Sequence, residues 1–565
     1  MGGRAVGHLL RHISRPPPPT PPHKAEGSFS TRIMNVPAYL KPESGALGRA
    51  LATWLDHAPK GLATRFLLLW FVLLYTAFAI ISSASVGLHP DLLDTYARGL
   101  HPAAGYDGHA PLAALMATVW FSLFPPTDWA FHLLAMVNAA AGLYATDRIA
   151  GRYLDGDKRI AVLLLLLLTP FYQFMSQRFG ADQTLLSTWP IATYCFLRAF
   201  ETRGLAWSAG AGAAAALAML GSYYSVFLIA GFVAAVLAHP GRRTYVRSAS
   251  PWLAVAVGAL VLAPHVQWLL ATGSTSLSDL AAPHAGAPTK ALWKDAVCFV
   301  EGIAAVAVLL AVYWIAVRPD RAILRDTFWP PPPYPPPLAG EGREGVGRML
   351  VVLLAVPLVL PAVVAPLIGT ALTPPWTMPA GFLLPIVLLR PKAAELTRVA
   401  AIRITALVAA ITVCTLAAAP WLAWRTHAAG TREGREYYRL VSAEMTNAWH
   451  LGTGLPLRIV MGDRDLAAAV TFYSTDHPDA MGGFETGAAT PWITPERLAQ
   501  DGWAAICNAD DENCVAAARQ RAAGKSNVQF ITYSTINRYL GKGGKLGRFF
   551  FILAAPESKP VIILR

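Results

Sequence analysis

Two carboxylates, Asp91 and Asp94, stand three residues apart just beyond the first long apolar run. A string Gly105-Tyr106-Asp107-Gly108-His109-Ala110-Pro111-Leu112 follows them. Acids held beside a bilayer, in a chain that otherwise keeps charge out of its apolar stretches, are candidates for acid/base chemistry. A carboxylate in that position can take the proton of an attacking hydroxyl. Farther on, the stretch Gln177-Arg-Phe-Gly-Ala-Asp-Gln-Thr184 holds Arg178 and Asp182. Each residue also has a plainer reading. Asp91 and Asp94 could be solvated loop acids or the N-cap of a helix starting near Thr95. Arg178 could anchor a helix end at the headgroups, Asp182 could cap a span starting at Gln183, and His109 could be an interfacial residue. His265 and Trp268 read as interfacial packing, and Glu301 as a weaker cavity-facing acid.

The elements that must position these residues are membrane spans. Hydrophobic residues make up 54% of the 565, and only 14% are charged, a balance no water-soluble globule of this size needs. Eleven crossings are expected, at 62–86, 129–147, 159–176, 183–200, 205–221, 223–239, 251–270, 296–317, 349–370, 371–389 and 404–424. The formal charge of +13 is dispersed in short loops, which is topogenic and argues against a nucleic-acid partner. With the N-terminus inside, the clusters Arg148/Arg152/Lys158/Arg159, Arg242/Arg243/Arg247, Arg318/Arg321/Arg325 and Arg390/Lys392/Arg398/Arg403 all fall on the cytoplasmic side. This assignment requires 109–125 to be a juxtamembrane helix lying along the outer surface rather than a crossing. Both motifs and residues 425–565 then lie on the outer side of a multi-pass membrane protein.

Residues 1–61 read as a disordered cytoplasmic leader with no cleavable signal peptide, and 62–424 as the transmembrane domain. Within the latter, 328–348 is a low-complexity cytoplasmic loop whose proline run is followed by glycine and charge. The tail changes character. Leu457–Met461, Trp503–Cys507, Val528–Tyr533 and Arg548–Ile552 read as short strands alternating with helical stretches such as 466–473, so 425–565 is expected to be a small α/β periplasmic domain. Cys195, Cys298 and Cys414 lie in apolar spans and read as buried small residues. Cys507 and Cys514, in the polar tail, are either a local disulfide or two thiols.

The string from Asp91 through Gly105-Tyr106 to His109-x-Pro111-Leu112 resembles the first outer loop of the family 39 and aminoarabinose-transferase-like glycosyltransferases of the GT-C class. There an Asp lies about fourteen residues before a Gly-Tyr-Tyr and a Lys/His-Pro-Pro-Leu; Asp91 lies fourteen before Gly105. The segment holding Arg178 and Asp182 resembles the family's Arg-x-x-x-Asp at the outer end of the third span. The chain departs from the pattern where Leu92 replaces the second acid of an Asp-Glu pair, and where Ala110-Pro111 replaces Pro-Pro. The resemblance implies Asp91, with Asp94 as a sharer of the role, as the catalytic acids, and Tyr96, Tyr106, His109, Arg178 and Asp182 as substrate-binding residues. It implies no required cofactor, with a divalent metal left open, and a polyprenyl-phosphate sugar donor whose phosphate Arg178, His109 and Arg98 are suited to meet. It also implies an envelope glycan, glycolipid or protein as acceptor, and a multi-pass protein of a bacterial inner membrane with its N-terminus cytoplasmic and its C-terminus periplasmic. The implied activity is transfer of a monosaccharide to lipid A, lipopolysaccharide core or another glycan. Protein O-glycosylation is the variant within the class, and a lipid-linked sugar transporter or flippase the rival outside it.

Overall fold

In a computed structural model the described residues are 45–57, 61–106, 108–272, 288–329, 346–368, 378–486 and 490–557. The first half is a helical bundle: α1 Ala46–Asp56, α2 Leu62–Ser82, α3 Pro90–Gly99, α4 Leu112–Phe121, α5 Asp128–Tyr153, α6 Asp157–Leu166, α7 Pro170–Gln173, α8 Ala181–Thr202, α9 Leu205–Gly221, α10 Val226–Ala238, α11 Arg242–Val246 and α12 Ser250–Thr272. It continues with α13 Pro288–Val317, α14 Arg321–Phe328, α15 Val346–Ile368, α16 Leu384–Leu389 and α17 Arg398–Ala429. Among the described residues five helices are long and apolar enough to cross a bilayer: those at Leu62–Ser82, Ser250–Thr272, Val300–Val317, Gly347–Val364 and Arg398–Ala429. The expected straight span 159–176 is instead two helical pieces bent by 67°, because Pro170 opens a new turn after Thr169; taken together they would make a sixth span. The other expected spans coincide with α5, α8, α9 and α10, of which the last two have only 17 and 13 residues. Of the expected span 371–389, only 378–389 lies within the described residues, and the proline run lies outside them.

Part of the leader differs from its expectation. Residues 46–56 form a helix, in which Leu47, Leu51 and Leu55 recur every four residues; the Arg398 guanidinium bonds Ala52 O at 2.6 Å and Asp56 Oδ1 at 2.5 Å. Cys414 is exposed on α17 rather than buried, Cys195 is half-buried, and the Cys298 side chain lies outside the described residues.

The bundle has two chemically different ends. At one, Arg159 pairs with buried Asp147, whose Oδ1 also accepts from Thr64; Arg152 pairs with Glu201, and Arg398 with Asp157. Members of two of the basic clusters thus meet at the end of the bundle far from Asp128 and Ala181. At the other end stand α3, α4 and the C-terminal unit.

That unit comprises α18 Tyr438–Thr453, β1 Ile459–Gly462, α19 Arg464–Tyr473, β2 Asp479–Gly482, α20 Pro495–Asp501, β3 Trp503–Asn508, α21 Glu512–Ala522, β4 Val528–Tyr539 and β5 Lys542–Ala554. Its five-stranded sheet has the order β2-β1-β3-β5-β4, with β1 parallel to β2 and β3, and β5 antiparallel to β3 and β4. Side chains alternate across it. Val460, Ala504, Ile506, Phe549 and Phe551 share the buried core of α18, α19 and the bundle, whereas Met461, Ala505, Cys507, Phe550 and Ile552 pack in a separate core with Leu498 and Ala518 of α20 and α21. The small α/β unit expected in the tail is present, and Cys507 is bridged to Cys514.

Candidate active site

Asp91 sits in the first turn of α3, which begins at Pro90 rather than near Thr95. His89 is the N-cap and Pro90 supplies the pre-set φ of a first helical position. His89 Nδ1 lies 3.3 Å from the Asp91 backbone nitrogen and 3.2 Å from Asp91 Oδ2. Across from it the chain leaves a short 3-10 turn at Met175–Gln177, passes Arg178 and enters α8 through Gly180. Any Cβ on Gly180 would come within 3.9 Å of Asp91 Cβ, so the start of α8 lies directly beside the acid. The hydrogen bond with His89 holds the Asp91 carboxyl below the ordinary carboxylate range; burial opposes this, and the charges of His89, Arg178 and His109 add to it. His109 and Arg178 are each within electrostatic reach of Asp91 although 18 and 87 residues from it in sequence. Asp182, half-buried in the first turn of α8, is hydrogen-bonded to Ser222 and feels the charge of Asp91. Arg178 itself is exposed.

The other predicted residues have different surroundings. Asp94 is paired with Arg98 one turn on, and its second oxygen is 4.0 Å from Arg464 of α19, so both members of the Asp94–Arg98 pair are engaged. Tyr96 is buried edge-on against Phe121 and Phe472, at 5.1 and 4.9 Å between ring centres; burial pushes its hydroxyl up to about 12. The buried Tyr106 hydroxyl accepts from Ala103 N and donates toward Arg98 O and His101 O, all within 3.1 Å. Tyr96 and Tyr106 are thus packed and hydrogen-bonded within the loop and against α19.

Gly105 is required by packing. A side chain there would overlap the six-membered ring of Trp268 on α12. His265, one turn earlier, lies 2.7 Å from Ala104 O through Nδ1 and 2.8 Å from the Tyr223 hydroxyl through Nε2. These two residues, read from sequence as interfacial packing, clamp the outer loop.

Sequence reasoning missed the contributions of the C-terminal unit. Arg435 donates to Gly87 O at 2.7 Å and Leu88 O at 3.3 Å, and its charge reaches Arg178; the Tyr473 hydroxyl accepts from Leu88 N at 2.8 Å. Nothing in local spacing marks them, because they act across some 350 residues of chain. The start of α3 was findable: Pro90 followed by Asp91 is a first-turn signal, and the residue before them is then the N-cap. Among the described residues no group of three or more His, Cys, Asp or Glu side chains is placed to hold a metal ion.

Residues 108–268 match the family described as dolichyl-phosphate-mannose-protein mannosyltransferase; the match takes in His109, Arg178 and Asp182 and begins after Asp91. Among solved structures the chain is similar to ArnT from Cupriavidus metallidurans bound to undecaprenyl phosphate, with a TM-score of 0.54 and 13% identity over 88% of this chain and 99% of that one. It is similar to the same protein in its apo state with a TM-score of 0.52 and 12% identity, over 86% and 97% of the two chains. No curated protein matches it by sequence. The fold is thus ArnT-like, and the resemblance carried by the motifs, to family 39 and aminoarabinose-transferase-like glycosyltransferases, is found again by family and by fold.

Proposed function

We propose that the chain is a glycosyltransferase that moves a monosaccharide from a polyprenyl-phosphate donor to an envelope acceptor at the periplasmic face of the inner membrane. The observation that carries this reading is the meeting of Asp91 with Arg178 and His109 beside the first turn of α8. The acceptor hydroxyl attacks the anomeric carbon, its proton passes to the Asp91 carboxylate, and the bond from that carbon to the phosphate oxygen breaks. The departing polyprenyl phosphate keeps the electron pair. Arg178, with His109, meets the developing charge, and the amide dipoles at the start of α8 add to it. Asp91 is ionised at neutral pH and ready to accept. Asp182 belongs to the same site, facing Asp91 from α8. Asp94, tied to Arg98 and near Arg464, orders the loop, as Tyr96 and Tyr106 do.

The ArnT structure contains undecaprenyl phosphate, and a lipid phosphate of that kind is the donor carrier we assign to this chain. Lipid A or lipopolysaccharide core is the acceptor class we favour. The matched family's description names a protein acceptor, which makes protein O-glycosylation the second reading. The test is sugar release and transfer from a radiolabelled polyprenyl-phosphate donor by the purified full chain. Asp91→Asn is expected to lower transfer by about 10²–10⁴-fold at unchanged folding. Arg178→Lys should keep a fraction of activity and Arg178→Gln lose most of it, since only the cations meet the phosphate. Wild-type rates in both neutral variants would sink the assignment. Mass spectrometry of lipid A, core oligosaccharide and envelope proteins from a deletion strain separates the two acceptor readings.

A further inference from the structure

We infer that the β4–β5 hairpin tip is a membrane-seating element: Leu540, with the facing pair Ile536 and Leu546, enters the surface of the bilayer, and Arg538, Lys542 and Lys545 meet anionic lipid headgroups. The inference concerns how the C-terminal unit sits on the membrane and is independent of the glycosyl-transfer reading; it holds for whichever leaflet the C-terminal end of α17 reaches.

The hairpin extends well beyond the rest of its sheet. Ile536 pairs directly with Leu546 across the two strands, and Tyr539 with Lys542; Leu540 and Gly541, with φ of 49° and 80°, make the turn between them. The three apolar residues are 46%, 81% and 61% exposed, in the order Ile536, Leu540 and Leu546. A two-residue hairpin turn in water favours Asn-Gly or Asp-Gly; leucine at the first position accepts left-handed strain and loses an apolar side chain to solvent. Lipid removes the second of these costs.

The position of the tip names its partner. Lys542 Nζ lies 5.8 Å above the Trp424 ring, His427 Nε2 is 3.0 Å from Lys542 O, and the His427 ring is 5.7 Å from that of Tyr539. Trp421 and Trp424 are themselves 54% and 43% exposed near the end of the 32-residue helix α17, with Arg425 over the Trp421 ring. Tryptophans and an arginine at the end of an apolar span mark headgroup depth. The hairpin tip is therefore held at that depth, beside the lipid-facing side of the helix. It cannot swing away freely, because Asn537 donates to Ser85 O at 2.8 Å and the Tyr437 hydroxyl donates to Lys545 O at 2.9 Å. Cations around an apolar tip match an anionic headgroup layer over an acyl boundary. The tip lies beside Trp424 and His427 at the end of an apolar span, and this favours lipid over a second copy of the chain as its occupant.

The experiment places the environment-sensitive dye NBD on Leu540→Cys, and separately on Leu546→Cys, in the full chain carrying Cys195→Ala, Cys298→Ala and Cys414→Ala. The protein is reconstituted in nanodiscs of phosphatidylcholine with or without 30% phosphatidylglycerol, a composition on the order of a bacterial anionic fraction. Seating predicts a blue-shifted dye, protected at least several-fold from aqueous iodide and quenched by a shallow doxyl-labelled lipid, with stronger doxyl quenching in the anionic discs. Iodide quenching equal to that of the free dye at both positions would overturn the inference. So would protection from iodide without doxyl quenching, the result expected if a second chain covers the tip. A dye on Gln520→Cys, exposed on α21, gives the iodide and doxyl quenching of a water-facing position, and transfer activity of each labelled protein shows that it is folded.

Discussion

The partner of Asp91 is the residue-scale feature with the most testable chemistry. His89 replaces no expected acid; it caps α3 and from that position reaches both the backbone nitrogen and the carboxylate of the residue two ahead. Its hydrogen bond is the largest influence holding the Asp91 carboxyl down, so a group with depressed folded pKa is ionised above that value and is protonated as pH falls through it. Activity depending on the Asp91 carboxylate should therefore be lost on the acid side. His89→Ala removes the hydrogen bond and leaves burial, which acts in the opposite direction. The acid limb of the kcat profile is then expected to move toward neutral pH, with donor KM changed little. A limb that stays in place would show that His89 only starts the helix, and His89→Asn, a good N-cap, should restore stability in either case.

At the scale of elements, the outer loop is shaped from two sides. Tyr96 and Asp94 attach α3 to α19 through Phe472 and Arg464, while Trp268 and His265 of α12 press on Gly105 and Ala104. Gly105→Ala should destabilise the detergent-solubilised protein by about 1–3 kcal/mol, because a methyl group must displace a large ring held by its neighbours. A double variant Gly105→Ala with Trp268→Ala is expected to lose less than the sum of the single losses, since removing the ring also removes the clash. Additive melting shifts would count against this contact.

Across the whole molecule, the C-terminal unit and the bundle are joined by polar contacts that include the outer loop. His101 Nε2 is 2.5 Å from Asp479 Oδ1 on β2, Arg497 Nη1 is 2.7 Å from Asp479 Oδ2, and the His101 ring stacks on Trp492. Burial pushes the Asp479 carboxyl up, but the bonds and charges of His101 and Arg497 outweigh it and hold the group below its ordinary range. Its contribution to the joint is thus present above the unfolded carboxylate value near 4 and is lost as pH falls through the lower folded value. Asp479→Asn should loosen the joint at neutral pH, seen as faster tryptic cleavage between the bundle and the sheet, with little further change on acidification. Topology has its own test. A reporter active only in the periplasm, fused after residue 425, should be active, and fusions within 150–158 or 335–345 should be silent. Activity at 150–158 would mean that the segment around α4 crosses the membrane.

The sequence alone determined what depends on local pattern and composition. Apolar runs marked the helices of the bundle, because the need to satisfy backbone groups in hydrocarbon leaves helix as the only spanning form. Short apolar runs rich in β-branched and aromatic residues marked four of the five strands of the tail, and the spacing from Asp91 to Gly105 together with the Arg178–Asp182 segment led to the family. The pattern misplaced what depends on a break or on a short amphipathic stretch: the turn at Pro170, the start of α3 at Pro90 and the helix at 46–56. Only the tertiary structure decided which partner each polar residue has. Asp94, Tyr96 and Tyr106 look no different from Asp91 in a string of letters, yet Arg98, Phe472 and backbone carbonyls pack or bond with them, and these partners come from a helical turn, a distant helix and the loop's own fold. The roles of Arg435, Tyr473 and the hairpin tip were equally hidden, since contact over hundreds of residues is fixed by packing of whole elements and leaves no periodic trace in the chain.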